Sequence, residues 1–392
     1  MNIRIDGARP QDDAERGILA FIEESIAIRH DLHRHPELSL KETRTAALIA
    51  RYLLSFGYEV TEGVGGHGVV ATLRRGHGEK RLGIRADIDA LPIHEETGLA
   101  YASRTSGIMH ACGHDGHTAI LLAAARYLAE TSNFSGTLTL IFQPAEEIGA
   151  GARAMIKDRL FERFPVDAVF GLPGVETGQF GFVEGPAMAS VDKAKVQIIG
   201  RGGHGAAPHE TVDPVLASAS FITALQSIVS RNVDPREMAV LTVGSIHGGT
   251  ASNVIPESVE LQITARAFSP AVRDRLEERL PALAKAQAES FGARADVSYS
   301  RGFPPVINHA PQTVFAREVA KRHFPSAQIA EAFQPRTASE DFAFMLQERP
   351  GSYLFVGNGE GAPLHSPHYD FNDAIIAPAA RFWVRLAEAY LS

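Results

Sequence analysis

The chain has 392 residues, a net charge of −8 from 38 basic and 46 acidic residues, 45% hydrophobic content and a single cysteine. This length predicts two domains, and the composition argues against disorder, an internal disulfide, and a surface that binds nucleic acid or anionic membranes. The sequence shows no apolar run long enough to span a membrane and no apolar secretory signal at its start, so the predicted location is cytoplasmic.

Helical and extended segments alternate through the first half of the chain, as judged from the spacing of apolar residues. The predicted helices are 14–33, 43–56, a segment after Gly116, and 151–159. The predicted strands are 68–75, 81–87, 137–143 and 167–172. Strands that alternate with helices predict an α/β fold with a largely parallel sheet.

The pattern changes after about residue 189. From there to about residue 303 the order is β-α-β-β-α-β, which is typical of a ferredoxin-like sandwich. Helix and strand alternation then returns and ends in an amphipathic helix over 374–391. A second domain is therefore predicted to be inserted in the first, with parts 1–189, 190–303 and 304–392.

The densest group of chemistry-bearing residues lies between a predicted strand and a predicted helix. Cys112 is two residues from His114, and Gly113 and Gly116 allow a backbone turn that brings the two side chains together. Thiolate and imidazole are preferred ligands of borderline-soft divalent metals. The alternative is a buried cysteine beside solvent-exposed histidines.

Two adjacent carboxylates, Glu146 and Glu147, follow a predicted buried strand. Neighbouring side chains on extended backbone point in divergent directions, so one carboxylate can bind a metal while the other removes a proton from a water. This division of roles predicts a metal-dependent hydrolase. The alternative is a solvated acidic loop.

A third segment carries His365 in another predicted loop of the same α/β domain. Together the three segments supply thiolate, imidazole and carboxylate donors with one carboxylate to spare. Asp87 and Asp89 end a strand expected to lie beside them. These two residues either cap backbone amides or orient a metal-binding histidine.

Eight motifs follow one another between residues 32 and 373. They are LHRHPELS from Leu32, RADIDALP from Arg85, HACGHDGH from His110, QPAEE from Gln143, GRGGHGAAPH from Gly200, GGTASNVIP from Gly248, ASEDFAF from Ala338 and LHSPHYDFND from Leu364. In this order they resemble the metal-dependent amidohydrolases of the aminoacylase/carboxypeptidase superfamily. The branch they resemble is that of hippurate hydrolase and the indoleacetyl-amino-acid hydrolases.

The resemblance implies a zinc-exopeptidase-like catalytic domain, in which helices flank a mixed, largely parallel sheet, and an inserted ferredoxin-like α+β lid domain. It also implies hydrolysis of the amide bond of an N-acyl amino acid, two divalent metals per chain (Mn or Zn, with Co or Ni as alternatives), and a homodimer or homotetramer formed through the lid. By motif match, Glu146 is the implied general base. The implied metal ligands are Cys112, His114, Glu147 and His365.

The inserted domain carries three further candidates. His204 and Asn253 match family positions that reach a neighbouring active site and polarise the scissile carbonyl, where an oxyanion develops. Arg266 is a candidate to pair with a substrate carboxylate as a bidentate donor. Without the family, the same residues predict a surface histidine, a turn asparagine and a surface salt bridge, while His117 and His209 are expected to be supporting residues.

One family feature is missing. The family has a further metal-binding histidine in a Gly-Leu-His segment, whereas this chain reads Gly171-Leu172-Pro173. Three interpretations are open: the sequence as given omits residues here, the chain holds only one metal well, or another side chain such as Glu176 replaces the histidine.

Two rival functions also stay open, a cysteine amidase with Cys112 as nucleophile and a degraded hydrolase that acts as a metal-dependent binding protein.

Overall fold

The computed structural model describes residues 13–172 and 179–392 and the backbone of 174–175. Contacts divide the chain into two compact units. The first unit is Met1–Gly185, Asn308–Gln334 and Phe344–Ser392, and the second is Pro186–Ile307 and Pro335–Ala343. The domain limits expected from the sequence, 1–189, 190–303 and 304–392, stay a prediction.

The α-helices are α1 (Asp13–Leu19), α2 (Ile22–Arg34), α3 (Thr43–Ser55), α4 (His114–Glu130), α5 (Gly151–Lys157), α6 (Leu160–Arg163), α7 (Pro214–Asn232), α8 (Pro270–Ser290), α9 (Ala310–His323), α10 (Ala343–Glu348) and α11 (Ile376–Tyr390). Among the helices of the described residues, none has both the length and the apolar character needed to cross a membrane.

The β-strands are β1 (Glu59–Val64), β2 (Gly68–Arg75), β3 (Arg81–Asp87), β4 (Gly136–Gln143), β5 (Ala168–Gly171), β6 (Gly174–Val175), β7 (Phe180–Gly181), β8 (Gly185–Met188), β9 (Asp192–Ile199), β10 (Gly203–His204), β11 (Ala239–His247), β12 (Val254–Ile255), β13 (Ser258–Ala267), β14 (Arg294–Arg301), β15 (Val306–Asn308), β16 (Gly351–Tyr353) and β17 (Phe355–Gly357).

In the described part of the first unit, six strands form one mixed sheet in the order β1-β2-β4-β3-β5-β16. Strands β4, β3, β5 and β16 run parallel to one another, whereas β1 and β2 pair antiparallel. Strands β3 and β4 are buried along nearly their whole length, as expected of parallel strands covered on both faces. The mixed, largely parallel sheet predicted from the sequence is therefore confirmed.

Helix α4 is the central helix of this unit. It packs against α2, α3 and α11 and against β3, and it is buried on almost every side rather than along one stripe. Its N-terminal part is tied to the sheet, since Thr118 Oγ1 donates a hydrogen bond to the carbonyl of Asp87 at 3.3 Å. The start of α4 is thus fixed beside the carboxyl end of β3.

Two local predictions for this unit were wrong. The helix expected over 14–33 is two helices, because Phe21 leaves the helical region with φ −129° and ψ 21°. The break allows α1 to pack on α11 while α2 packs on α4. Strand β1 was missed, since its largely exposed residues show no apolar alternation.

The second unit has the predicted β-α-β-β-α-β order. Among its described residues, four antiparallel strands form a sheet in the order β11-β13-β9-β14, and α7 and α8 pack together over it. Buried and more exposed residues alternate along β9 and β13, which gives the sheet one apolar face. Helix α7 begins directly after Asp213, whose carboxylate accepts the N–H groups of Val215 and Leu216.

Candidate metal centre

The predicted metal-ligating side chains converge at the carboxyl ends of β3 and β4. One donor atom from each of Cys112, Glu147 and His365 lies within 4.8 Å of the other two. His114, Glu146 and Glu147 form a second group, whose donor atoms also lie within 4.8 Å of one another. Glu147 belongs to both groups, so the five side chains make one continuous cluster.

His114 is the first residue of α4, and Gly113 before it adopts φ +90°, a left-handed conformation that favours glycine. The His114 Nδ1 lies 2.8 Å from the backbone carbonyl of Asp89. A carbonyl can only accept a hydrogen bond, so Nδ1 carries a hydrogen and Nε2 is the nitrogen that faces the cluster. That Nε2 lies 3.8 Å from Glu147 Oε1.

His365 is held in a strained backbone conformation, with φ +64° in a residue other than glycine. Its backbone N–H donates to the carbonyl of Ala111 at 2.8 Å, which ties its loop to the segment that carries Cys112. Its Nε2 lies 3.7 Å from Glu147 Oε2. The two imidazoles therefore flank the two oxygens of one carboxylate.

Glu147 is the centre of this cluster, and its side chain is 9% exposed. Burial raises the pKa of Glu147 to about 7. Among the described residues its Oε1 has no hydrogen-bond partner. A buried carboxylate oxygen without a partner is costly unless it meets a cation or a water, so the donor set of thiol, imidazoles and carboxylate fits a divalent metal.

Asp87 lies in a buried charge pair at the end of β3. Its Oδ2 accepts from Arg85 Nη1 at 2.7 Å, and its Oδ1 accepts from His117 Nδ1 at 2.6 Å. Burial opposes ionisation, but the charges of His114 and Arg85 hold the pKa of Asp87 well below its usual value. Asp87 thus contacts His117 as well as Arg85, and the supporting role expected for His117 stays a prediction.

Asp89 holds the backbone of the two adjacent glutamates. Its Oδ1 accepts the N–H of Glu146 and its Oδ2 accepts the N–H of Glu147, both at 3.1 Å, and Ser39 Oγ donates to Oδ2 at 2.6 Å. Asp89 therefore makes contacts of both kinds considered from the sequence, and its role in orienting a metal-binding histidine stays a prediction. Its carboxylate caps backbone amides, and its carbonyl accepts the hydrogen on His114 Nδ1.

Gly116 has a different role from the predicted backbone turn. It lies inside α4, and only Gly113 of the two has a positive φ. A Cβ on Gly116 would lie 2.4 Å from the ring of Phe371. Gly116 is thus required for the close approach of the segment that carries His365, rather than for a turn.

A buried ionic network beside the cluster was missed by the sequence analysis. The guanidinium of Arg29 is fully buried, and it donates to Asp115 at 2.9 Å and to Asp370 at 2.7 Å. His33 Nδ1 lies 2.8 Å from the same oxygen of Asp115. Helix α2, the start of α4 and the loop after His365 are joined by these bonds. A signal was present, since Arg29 and His33 share the buried face of α2 with Ile28 and Leu32.

Two candidates of the second unit, His204 and Arg266, lie on its strands, and Asn253 lies in the turn directly before β12. His204 and Asn253 are neighbours, because β10 pairs with β12 and the N–H of Gly205 donates to the carbonyl of Asn253 at 2.8 Å. Both side chains belong to exposed residues. Arg266 Nη1 donates to the carbonyl of Thr337 at 2.9 Å and to Ser339 Oγ at 3.0 Å. The roles given to these residues by the resemblance stay predictions.

The segment in which the family histidine is missing is described only in part. Pro173 and Glu176 lie outside the described residues, so the proposed replacement by Glu176 is not addressed. Leu172, the last residue before this segment, is buried.

A model of Peptidase family M20/M25/M40 matches residues 83–389, well over half of the chain. The chain belongs to this family. It is 44% identical over 367 residues to the hippurate hydrolase of Campylobacter jejuni, and this alignment covers 93% of this chain and 96% of that relative. It is 40% identical over 403 residues to the N-acetyl-L-cysteine deacetylase of Bacillus subtilis, which covers 99% and 96%.

A solved structure agrees with the family assignment. A dinuclear metal-binding peptidase of family M20 from Bacillus subtilis superposes with a TM-score of 0.83 at 33% identity, over 95% of this chain and 99% of that one. Membership of M20 confirms the predicted family resemblance and the fold class, and it makes the chain a hydrolytic enzyme that binds metal.

Proposed function

We propose that this M20 hydrolase cleaves the amide bond between an acyl group and an amino acid. The observation that carries the proposal is the meeting of four metal-donor side chains with a further buried carboxylate, that of Glu146. Two relatives at 40% identity or more, named for hippurate and for N-acetyl-L-cysteine, support an N-acyl amino acid as substrate.

The metal ligands in this proposal are Cys112, His114, Glu147 and His365. A mixed thiolate, imidazole and carboxylate set suits Zn²⁺ or Mn²⁺, with Co²⁺ or Ni²⁺ as alternatives. Membership of Glu147 in both donor groups supports two ions per chain that share this residue. When bound, the ions lower the pKa of a water and polarise a substrate carbonyl.

Glu146 is the general base of the proposed reaction. It is 6% exposed, and its backbone N–H is held by Asp89. Its carboxylate accepts a proton from the attacking water as the new carbon–oxygen bond forms. It then donates that proton to the amide nitrogen as the carbon–nitrogen bond breaks, which releases the amino acid and the free acid.

The second unit completes the proposal. His204 and Asn253 are proposed to donate hydrogen bonds to the carbonyl oxygen on which negative charge develops. Arg266 is proposed to bind the carboxylate of the substrate, with the bonds of its Nη1 to Thr337 and Ser339 holding the guanidinium in place. Assembly into a homodimer or homotetramer through the second unit belongs to the same proposal.

The test is steady-state hydrolysis by the full chain of a panel that includes N-benzoylglycine, N-acetylcysteine and indoleacetyl-alanine. We expect a chelator to abolish turnover and added Mn²⁺ or Zn²⁺ to restore it. Glu146→Gln should lower kcat by about 10²–10⁴-fold while the bound metal per chain stays unchanged. Turnover that survives chelation would support the cysteine amidase. Tight substrate binding without turnover in metal-loaded protein would support the binding protein.

The missing family histidine calls for a separate measurement. Elemental analysis of the purified chain, with an intact mass that checks the sequence after Leu172, counts the ions that the existing donors hold. We expect two ions per chain. One ion at saturating metal would contradict the shared role of Glu147.

A further inference from the structure

The turn that presents the two glutamates is strained at its first residue. Ala145 adopts φ +53°, in the left-handed region that residues with a Cβ avoid. It is fully buried, and it directly precedes Glu146. Such a conformation persists only where the surroundings fix it. The groups that hold Ala145 therefore also determine the position of the Glu146 backbone.

Glu42 supplies the contact that holds this residue. Its Oε1 accepts the backbone N–H of Ala145 at 2.8 Å and also that of Leu40 at 3.0 Å. Glu42 is fully buried and lies 103 residues away from Ala145 in the sequence. Among the described residues its second oxygen, Oε2, has no hydrogen-bond partner, so Glu42 contacts Ala145 through Oε1 alone.

The bond to Glu42 is the first of an unbroken series. The N–H groups of Ala145, Glu146 and Glu147 are accepted in turn by Glu42, by Asp89 Oδ1 and by Asp89 Oδ2. Successive N–H groups around a left-handed residue form a concave anion-binding nest. Here the nest is filled by two carboxylates of the chain itself, those of Glu42 and Asp89, and Ser39 donates a hydrogen bond to Asp89.

We infer that Glu42 is a positioning residue for the catalytic turn, acting through the Ala145 N–H to set the directions of Glu146 and Glu147. This inference rests on the proposed role of Glu146. Without the acceptor, Ala145 relaxes toward the ordinary negative φ region, and the side chains of the next two residues rotate with it. A displacement of about 1 Å at a catalytic group can lower the rate by about 100-fold.

The test compares three variants of Glu42 with wild type. Glu42→Gln keeps an oxygen that can accept both N–H groups, whereas Glu42→Asp is one methylene too short and Glu42→Ala has no acceptor. We expect Glu42→Asp and Glu42→Ala to lower kcat by about 10–100-fold with KM within about three-fold of wild type. Glu42→Gln should stay within about three-fold of wild type. Should the alanine variant fail to fold, the Asp and Gln pair decides the outcome.

A second readout does not depend on turnover. Amide hydrogen exchange of a peptide that spans 141–150 should be faster in Glu42→Asp and unchanged in Glu42→Gln. The matched control is Glu37→Ala, because the Glu37 carboxylate also accepts two N–H groups, those of Arg44 and Thr45 at the start of α3. We expect this control to lower stability without slowing kcat or changing exchange over 141–150.

The outcomes separate this inference from the proposed function. Loss of activity and faster exchange in the Asp variant, both reversed in the Gln variant, would support the role of Glu42. Equal losses in the Asp and Gln variants, or wild-type kcat in the Ala variant, would overturn it. A wild-type chain that hydrolyses no amide of the panel would overturn the proposed function, while the exchange comparison would still test the hydrogen bond from Ala145 to Glu42.

Discussion

The backbone carbonyl of Asp89 accepts a hydrogen bond from His114 Nδ1 at 2.8 Å, which turns the other ring nitrogen toward Glu147. The carboxylate of the same residue holds the N–H groups of Glu146 and Glu147. Asp89 therefore couples an imidazole of the site to the backbone of both glutamates. Replacement of such partners of metal-binding residues typically lowers metal affinity or activity by about 10–100-fold.

Replacement of Asp89 by asparagine should weaken the site. One carboxylate oxygen becomes an amide nitrogen, which cannot accept the N–H of a glutamate, so the turn loses one of its bonds. We expect metal affinity or kcat/KM to fall by about 10–100-fold, measured by metal titration and steady-state kinetics. The matched control is Ser39→Ala, which removes a bond to Asp89 Oδ2 but leaves both amide acceptors in place. Equal effects of the two variants would contradict the prediction.

Replacement of Arg29 by methionine should destabilise the first unit. Asp115 is fully buried and would lose its guanidinium partner, and such losses typically cost about 3–5 kcal/mol of the free energy of unfolding. Urea unfolding can be followed by the fluorescence of the one tryptophan, Trp383, which is buried in α11. The control is Arg81→Met, because the Arg81–Asp167 pair is 43% and 39% exposed and should contribute less than about 1 kcal/mol. A loss below about 1 kcal/mol in the Arg29 variant would contradict the assignment.

His33 predicts a pH dependence of stability. Burial acts to lower the pKa of His33, but hydrogen bonds to Asp115 and Glu95 outweigh it and raise the pKa to about 9. The folded pKa lies above the unfolded value of about 6.5. The charged imidazole therefore stabilises the fold fully below about pH 6.5, and this contribution is lost as the pH rises through about 9.

The measurement is urea unfolding of wild type and His33→Gln across that pH range at a fixed metal concentration. We expect the free energy of unfolding of wild type to fall by on the order of 3 kcal/mol more than that of the variant between about pH 6.5 and 9. Parallel pH profiles of the two proteins would show that His33 is not charged in the folded state.

Replacement of Gly116 by alanine should push the loop that carries His365 away from α4. The added Cβ would lie 2.4 Å from the ring of Phe371, and overpacking of this kind costs about 1–3 kcal/mol. We expect lower stability together with weaker metal binding, and partial recovery of both in the double variant with Phe371→Leu. Gly361→Ala is the control, since a Cβ there meets no heavy atom within 4 Å. An additive double variant, with no recovery, would contradict the proposed contact.

The sequence by itself determined the class of fold and identified most of the side chains that the structure brings together in the cluster. Apolar runs such as 81–87 and 137–143 are local signals, and they place β3 and β4 correctly within one or two residues. Because parallel strands end at a common edge, the residues that follow them, Asp89 and Glu147, were expected to meet. A set of cysteine, histidine and paired glutamates is informative even without a structure, since few functions other than metal binding need that combination.

Only the tertiary structure decided what holds those residues in place. Glu42, Arg29 and Gly116 are defined by contacts with Ala145, Asp115 and Phe371. A buried carboxylate in a loop, an arginine on a helix and a glycine inside a helix have many ordinary explanations. These three residues are distinguished by desolvation and close packing against segments that lie 86 to 255 residues away in the sequence. Local residue patterns carry no information about contacts between segments so far apart in the chain.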